Sequence, residues 1–100
     1  MNQDHLLKTL LKLEESKDQN RLYFKIQAVI QQLWVIENYG PKNLFPQSEL
    51  QKISRLRKSL DTQLRTLESE DSHAWIDTLL NVAYRLIQDK IELLNDSILH

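Results

Sequence analysis

The chain has 100 residues, 41% of them hydrophobic and 27% charged, with a formal net charge of -1, one Gly, two Pro and no Cys. This composition excludes a disordered chain, a disulfide scaffold and any thiolate chemistry, and it predicts no general affinity for nucleic acid or anionic membrane. So few turn-forming residues favour helices over hairpins, and the length fits one domain spanning residues 1–100.

The first element is predicted over residues 4–16. Asp4 is placed as its N-cap, and Leu6, Leu7, Leu10, Leu11 and Leu13 recur at helical spacing against Lys8, Lys12, Glu14 and Glu15. The polar stretch SKDQN (16–20) contains neither Gly nor Pro. The apolar phase slips where the next stripe begins at Leu22. The expected reading is a tight turn, the alternative a single helix running from Asp4 to Tyr39.

The second helix is predicted over 20–39 and holds the most apolar stretch, LYFKIQAVIQQLWVI (22–36). Leu22, Ile26, Val29, Leu33 and Ile36 form one seam at steps of four, three, four and three. Tyr23, Phe24, Trp34 and Val35 lie off that seam. Tyr39-Gly40-Pro41 ends the helix, with Gly40 expected in a left-handed C-terminal cap. Leu44 and Phe45 in the following loop are expected to fold back onto the end of the bundle.

A third helix is predicted over 48–68, with Ser48 and Gln51 at capping-box spacing. Its narrow seam runs through Leu50, Ile53, Leu56, Leu60, Leu64 and Leu67. This helix is basic, and the last helix, predicted over 72–98 with Asp71 or Ser72 as N-cap, is acidic. The basic helix is therefore expected to lie beside the acidic one, or beside an acidic partner, and Arg57 is expected to pair with Asp61 one turn on. Short connections between amphipathic helices give an all-α fold: an antiparallel up-down bundle of three to four helices.

Chemistry is sparse. His73 and Asp77 share a helical face, with Glu68, Glu70 and Asp71 upstream, but two such ligands fall short of a zinc site and the macrodipole already accounts for acids at a helix start. No nucleophile elbow, phosphate loop or HExxH motif is present, and the paired carboxylates lie on expected surface. The expectation is a protein that is not an enzyme and needs no metal or cofactor.

No stretch has the signal-peptide pattern or the length of a membrane span, so the expected location is cytoplasmic, away from membranes. Two binding surfaces remain. Tyr23, Phe24, Trp34 and Val35, with Trp75 at the start of the last helix, are candidates for holding a protein partner or a second copy of the chain. Small adaptors, chaperones, immunity proteins and inhibitors share this size and helix pattern, a likeness of fold alone. The alternative is an accessory role on nucleic acid, with Lys52, Arg55, Lys58 and Arg65 tracking phosphates.

Overall fold

In the computed structural model, which describes residues 2–17, 21–65 and 73–99 (the side chains of 73 and 74 excepted), four helices form: α1 (Gln3–Ser16), α2 (Leu22–Tyr39), α3 (Gln47–Arg65) and α4 (His73–Leu99). They make an all-α up-down bundle in which α1 packs on α2 and α4, and α3 likewise packs on α2 and α4. A further contact between α2 and α4 crosses the middle. At 27 residues, α4 runs most of the molecule's 46 Å length, since each helical residue rises about 1.5 Å.

The continuous-helix alternative does not hold: α1 and α2 are separate and pack against each other. The slip in apolar phase marks this change of helix, because each stripe must face the common core from its own side. Leu6, Leu7 and Leu10 of α1 are buried, whereas Leu11 points outward. From α2 the core takes Ile26, Val29, Leu33 and Ile36, and from α3 Leu50, Ile53, Leu56 and Leu60. From α4 it takes Ile76, Leu79, Leu80, Ala83, Ile87, Ile91 and Leu94.

The helix ends correct several expectations. Asn2, not Asp4, caps α1: its side-chain oxygen accepts from the His5 backbone N–H at 2.7 Å. Asp4 lies in the first turn, near the positive helix end, and pairs with Lys8 at 3.1 Å. Ser48 is not a cap, because α3 already begins at Gln47. The Pro46 carbonyl instead accepts from the N–H groups of Glu49 and Leu50, at 3.0 and 3.1 Å. Residues 66–72, which include the expected end of the third helix with Leu67 and the Asp71 or Ser72 cap, lie outside the described residues.

Gly40 caps α2 with φ -64° and ψ 131°, an extended conformation open to any residue. Left-handed geometry therefore does not explain the glycine. Packing does: a Cβ on Gly40 would overlap the Phe45 ring and the Ile36 carbonyl oxygen. The loop turns at Pro41, whose carbonyl accepts from Phe45 N–H at 2.9 Å, and this sends the fully buried Phe45 ring over the α2 terminus.

Candidate protein-binding face

Every residue of α2 that is exposed to solvent is uncharged: Tyr23, Phe24, Gln31, Trp34, Asn38 and Tyr39. The helix has only two charged side chains, Lys25 and Glu37, and both are half-buried. Tyr23, Gln27, Ile30 and Trp34 follow at steps of four, three and four, so they form one row along the outside. Tyr23 and Trp34 are 44% and 46% exposed, and Phe24 beside them is 39% exposed. A row of large aromatics left open in water is the composition of an interface centre, where charge is depleted and Tyr and Trp are enriched.

The rings are already organised. Tyr23 and Phe24 meet edge to face with centroids 5.5 Å apart, and Trp34 meets Tyr39 at 5.8 Å. The Gln27 amide donates to the Tyr23 hydroxyl at 3.2 Å, and the Asn38 amide to the Trp34 carbonyl at 2.9 Å. Both bonds stay within α2.

Alongside this row runs the seam between α1 and α2. A groove of about 370 Å³ is lined by Thr9, Leu13, Ile30, Gln31, Trp34 and Val35. A smaller one of about 170 Å³ lies at Ser16, Phe24, Gln27 and Ala28 and shares Gln31 with the first. Among the described residues, no charged side chain lines either.

Val35 departs from the expectation that it belongs to the open side. It is 8% exposed and part of the core, and it forms the floor of the larger groove. The reason is that α1 packs on this flank of α2 and covers the position next to Ile36. Gln32, a polar residue within the apolar stretch, lies on the same flank and is fully buried. Its amide nitrogen donates to the Leu10 carbonyl at 3.0 Å and to the Glu14 carboxylate at 2.9 Å, fastening α2 to α1 beneath the groove. Its oxygen has no hydrogen-bond partner among the described residues.

Trp75 is the most exposed of the expected residues, at 57%, but it belongs to a different surface. It lines neither groove. On α4 it shares a row with Val82, Leu86 and Leu93 at steps of seven, four and seven. Val82 and Leu93 of that row are exposed as well. Its C-terminal end is acidic: Asp89, Glu92 and Asp96 gather around Leu93, next to the Lys90–Glu49 pair.

The basic row of α3 is also on the surface. Lys52, Arg55 and Lys58 are exposed and form no ion pair with a carboxylate among the described residues, while Arg65 pairs with Asp61 at 3.1 Å. Arg57 reaches across to Glu37 of α2 at 2.7 Å rather than along its own helix to Asp61. Burial penalises the Glu37 carboxylate. Hydrogen bonds from Arg57 and Ser54 and the charges of Arg57 and Lys58 outweigh that penalty and hold Glu37 below its ordinary value.

The expected charge complement between α3 and α4 is reversed at the point of contact. The α3 residue is the acid and the α4 residue the base: Lys90, 3% exposed, donates to Glu49 at 2.6 Å, with its ammonium 5.5 Å from the Phe45 ring centre.

A polar cleft of about 380 Å³ between α1 and α4 is lined by Glu14, Lys17, Tyr84, Arg85 and Gln88. Its Lys17 is paired with Glu14 at 2.5 Å and lies 4.6 Å from the Tyr84 ring centre. Burial lowers the Lys17 pKa against the opposing pull of Glu14. Burial also raises that of Tyr84, with help from the charges of Glu14 and Asp77. The charge of Lys17 is thus paired with Glu14 within the fold, while Arg85 at the rim of the cleft is exposed.

No three His, Asp or Glu side chains converge on a common point among the described residues. Glu68, Glu70 and Asp71, and the His73 side chain, lie outside what is described. No helix among the described residues is long and apolar enough to cross a membrane. No family model, no curated protein and no solved structure matches the chain.

Proposed function

We propose that the protein is a non-enzymatic binding module that holds a protein partner on α2's outer face and the groove beside it. The observation that carries this reading is the aromatic set Tyr23, Phe24 and Trp34, open to solvent beside the half-buried Ile30 on a helix whose every exposed residue is uncharged. In a chain with 27% charged residues, such a face is not the default covering of a helix. Aromatic rings of this size supply large contact area with few rotatable bonds, which is what interface anchors require. We place the module in the cytoplasm, a setting with which a cysteine-free chain is compatible.

A photo-crosslinking residue in place of Gln31, compared with one in place of Asn81 on the exposed side of α4, tests the reading in the cells that make the protein. A discrete adduct from position 31 that is absent from position 81, and that disappears when Trp34→Asp is added, is the expected result. No adduct, or the same adducts from both positions, contradicts it.

Exposure of Lys52, Arg55 and Lys58 supports a second reading, contact with nucleic acid. That reading expects binding that falls steeply with salt, and it is abandoned if no DNA or RNA binding is seen at about 50 mM salt. Two features weigh against it. Successive steps of three turn the row about 60° each around α3 rather than along one line, and the acidic side chains of α4 leave the whole chain at -1.

A further inference from the structure

We propose that the partner on the α2 face is a second copy of the same chain, bound across a two-fold axis that sets α2 antiparallel to its counterpart. This rests on the binding reading above and commits it to one occupant.

Symmetry supplies the first argument. A two-fold interface brings one patch against itself, so it must tolerate meeting its own chemistry. Ammonium and carboxylate groups near the axis meet their own kind and repel. The α2 face has none exposed. Its polar members near the axis, Gln27 and Gln31, are neutral amides that each carry a donor and an acceptor, so they can bond to an amide of the second copy as either partner.

Spacing supplies the second. Tyr23, Gln27, Ile30 and Trp34 are separated by four, three and four residues, which reads the same in both directions. Antiparallel pairing centred between residues 28 and 29 places Tyr23 opposite Trp34 of the second copy and Gln27 opposite its Ile30. Each aromatic then covers another aromatic, and both do so at once.

Area supplies the third. At the observed exposures, Tyr23, Phe24 and Trp34 leave roughly 200–300 Å² open, taking about 150–250 Å² for a whole aromatic side chain. A stable interface takes about 800 Å² from each partner. The aromatics thus meet about a third of this requirement, and Gln27, Ile30 and Gln31 with Thr9 and Leu13 of the groove extend the patch. The apolar row on α4 fails the symmetry condition, because the carboxylates of Asp89, Glu92 and Asp96 would face copies of themselves.

Sedimentation equilibrium of the full chain from about 1 to 300 µM, a range that brackets micromolar association, tests the proposal with Trp34→Asp and Val82→Asp variants. The expected result is a rise from one to two chains. Trp34→Asp weakens the association at least tenfold, while Val82→Asp leaves it unchanged, with the helical circular dichroism of both variants retained. The natural chain has no cysteine, so Gln27→Cys gives a second readout that does not depend on removing an aromatic. It is expected to form a disulfide-linked dimer on mild oxidation far faster than Asn81→Cys.

A chain that stays monomeric throughout and shows no preferential Gln27→Cys dimer overturns the proposal, as does a dimer that Val82→Asp dissociates equally well. The binding reading fails separately. If the chain is monomeric but the position-31 crosslinker captures a different protein, self-pairing is wrong and the face is still an interface; if the crosslinker captures nothing, both are wrong.

Discussion

Lys90 shows how far one residue's role depends on its neighbours. Its ammonium is buried beneath the Phe45 ring and is held by Glu49. A buried ion pair gains little over a well-packed apolar side chain, but half of one is costly, because a lone charge keeps its desolvation penalty. Lys90→Met is therefore expected to leave stability within about 1 kcal/mol of wild type or raise it, whereas Glu49→Gln is expected to destabilise by about 3 kcal/mol. Urea denaturation of the two variants side by side checks this, and equal losses would contradict it.

Glu37 gives a pH signature at the same scale. Its folded pKa lies below the ordinary value of 4.5, so the native state binds fewer protons than the unfolded state in the acid range. Its stabilisation is present above the unfolded value and is lost as pH falls through the folded one. Glu37→Gln is expected to cost about 1–2 kcal/mol at pH 7, the scale of a hydrogen bond to a charged group. The gap from wild type should close towards pH 3. Thermal melts of both proteins at the two pH values measure it, and a gap that stays constant would assign the loss to something other than the carboxylate charge.

At the scale of elements, the α2–α3 connection is held by contact rather than by backbone conformation. Gly40 keeps clear the space that the Phe45 ring occupies, and the ring in turn stacks against Lys90 of α4. Gly40→Ala is expected to cost about 1–3 kcal/mol through overpacking, even though its backbone angles suit alanine. Measured stability within about 0.5 kcal/mol of wild type would mean that the loop moves aside freely.

The elements were also the most legible part of the chain in its sequence. Apolar steps of three and four located all four helices, because each needs one buried face and the period of that face is set by helix geometry. Helix ends were less legible. Asn2 caps α1 where Asp4 was expected, and α3 starts one residue before the expected cap Ser48, on the backbone carbonyl of Pro46, since only the chain's path fixes where a helix begins. The packing of α3 beside α4 and the return of Phe45 onto the bundle were legible, but the individual side-chain contacts between helices were not. Arg57–Glu37, Lys90–Glu49 and the burial of Gln32 join residues 18 to 41 apart in sequence, beyond any pattern confined to one helix.

At the scale of the molecule, the bundle separates residues that build it from residues it does not use. Seam residues such as Leu33 and Ile36 are fully enclosed by the neighbouring helices, and Val35 joins them because α1 covers its flank. Tyr23, Phe24 and Trp34 lie on the flank that no helix covers. Their apolar character was visible in the sequence, and so was their position off the seam. Whether a fourth helix covered them depended on the arrangement around α2, and that arrangement leaves α2 open on its outer side.

If the α2 face is spare to the fold, the Tyr23→Ser, Trp34→Ser double variant, measured by urea denaturation at a protein concentration too low for association, keeps a stability within about 1 kcal/mol of wild type, as for surface substitutions. A loss of about 3–5 kcal/mol per aromatic, the size seen when a core side chain is removed, would show that these rings hold the bundle together and are not an interface.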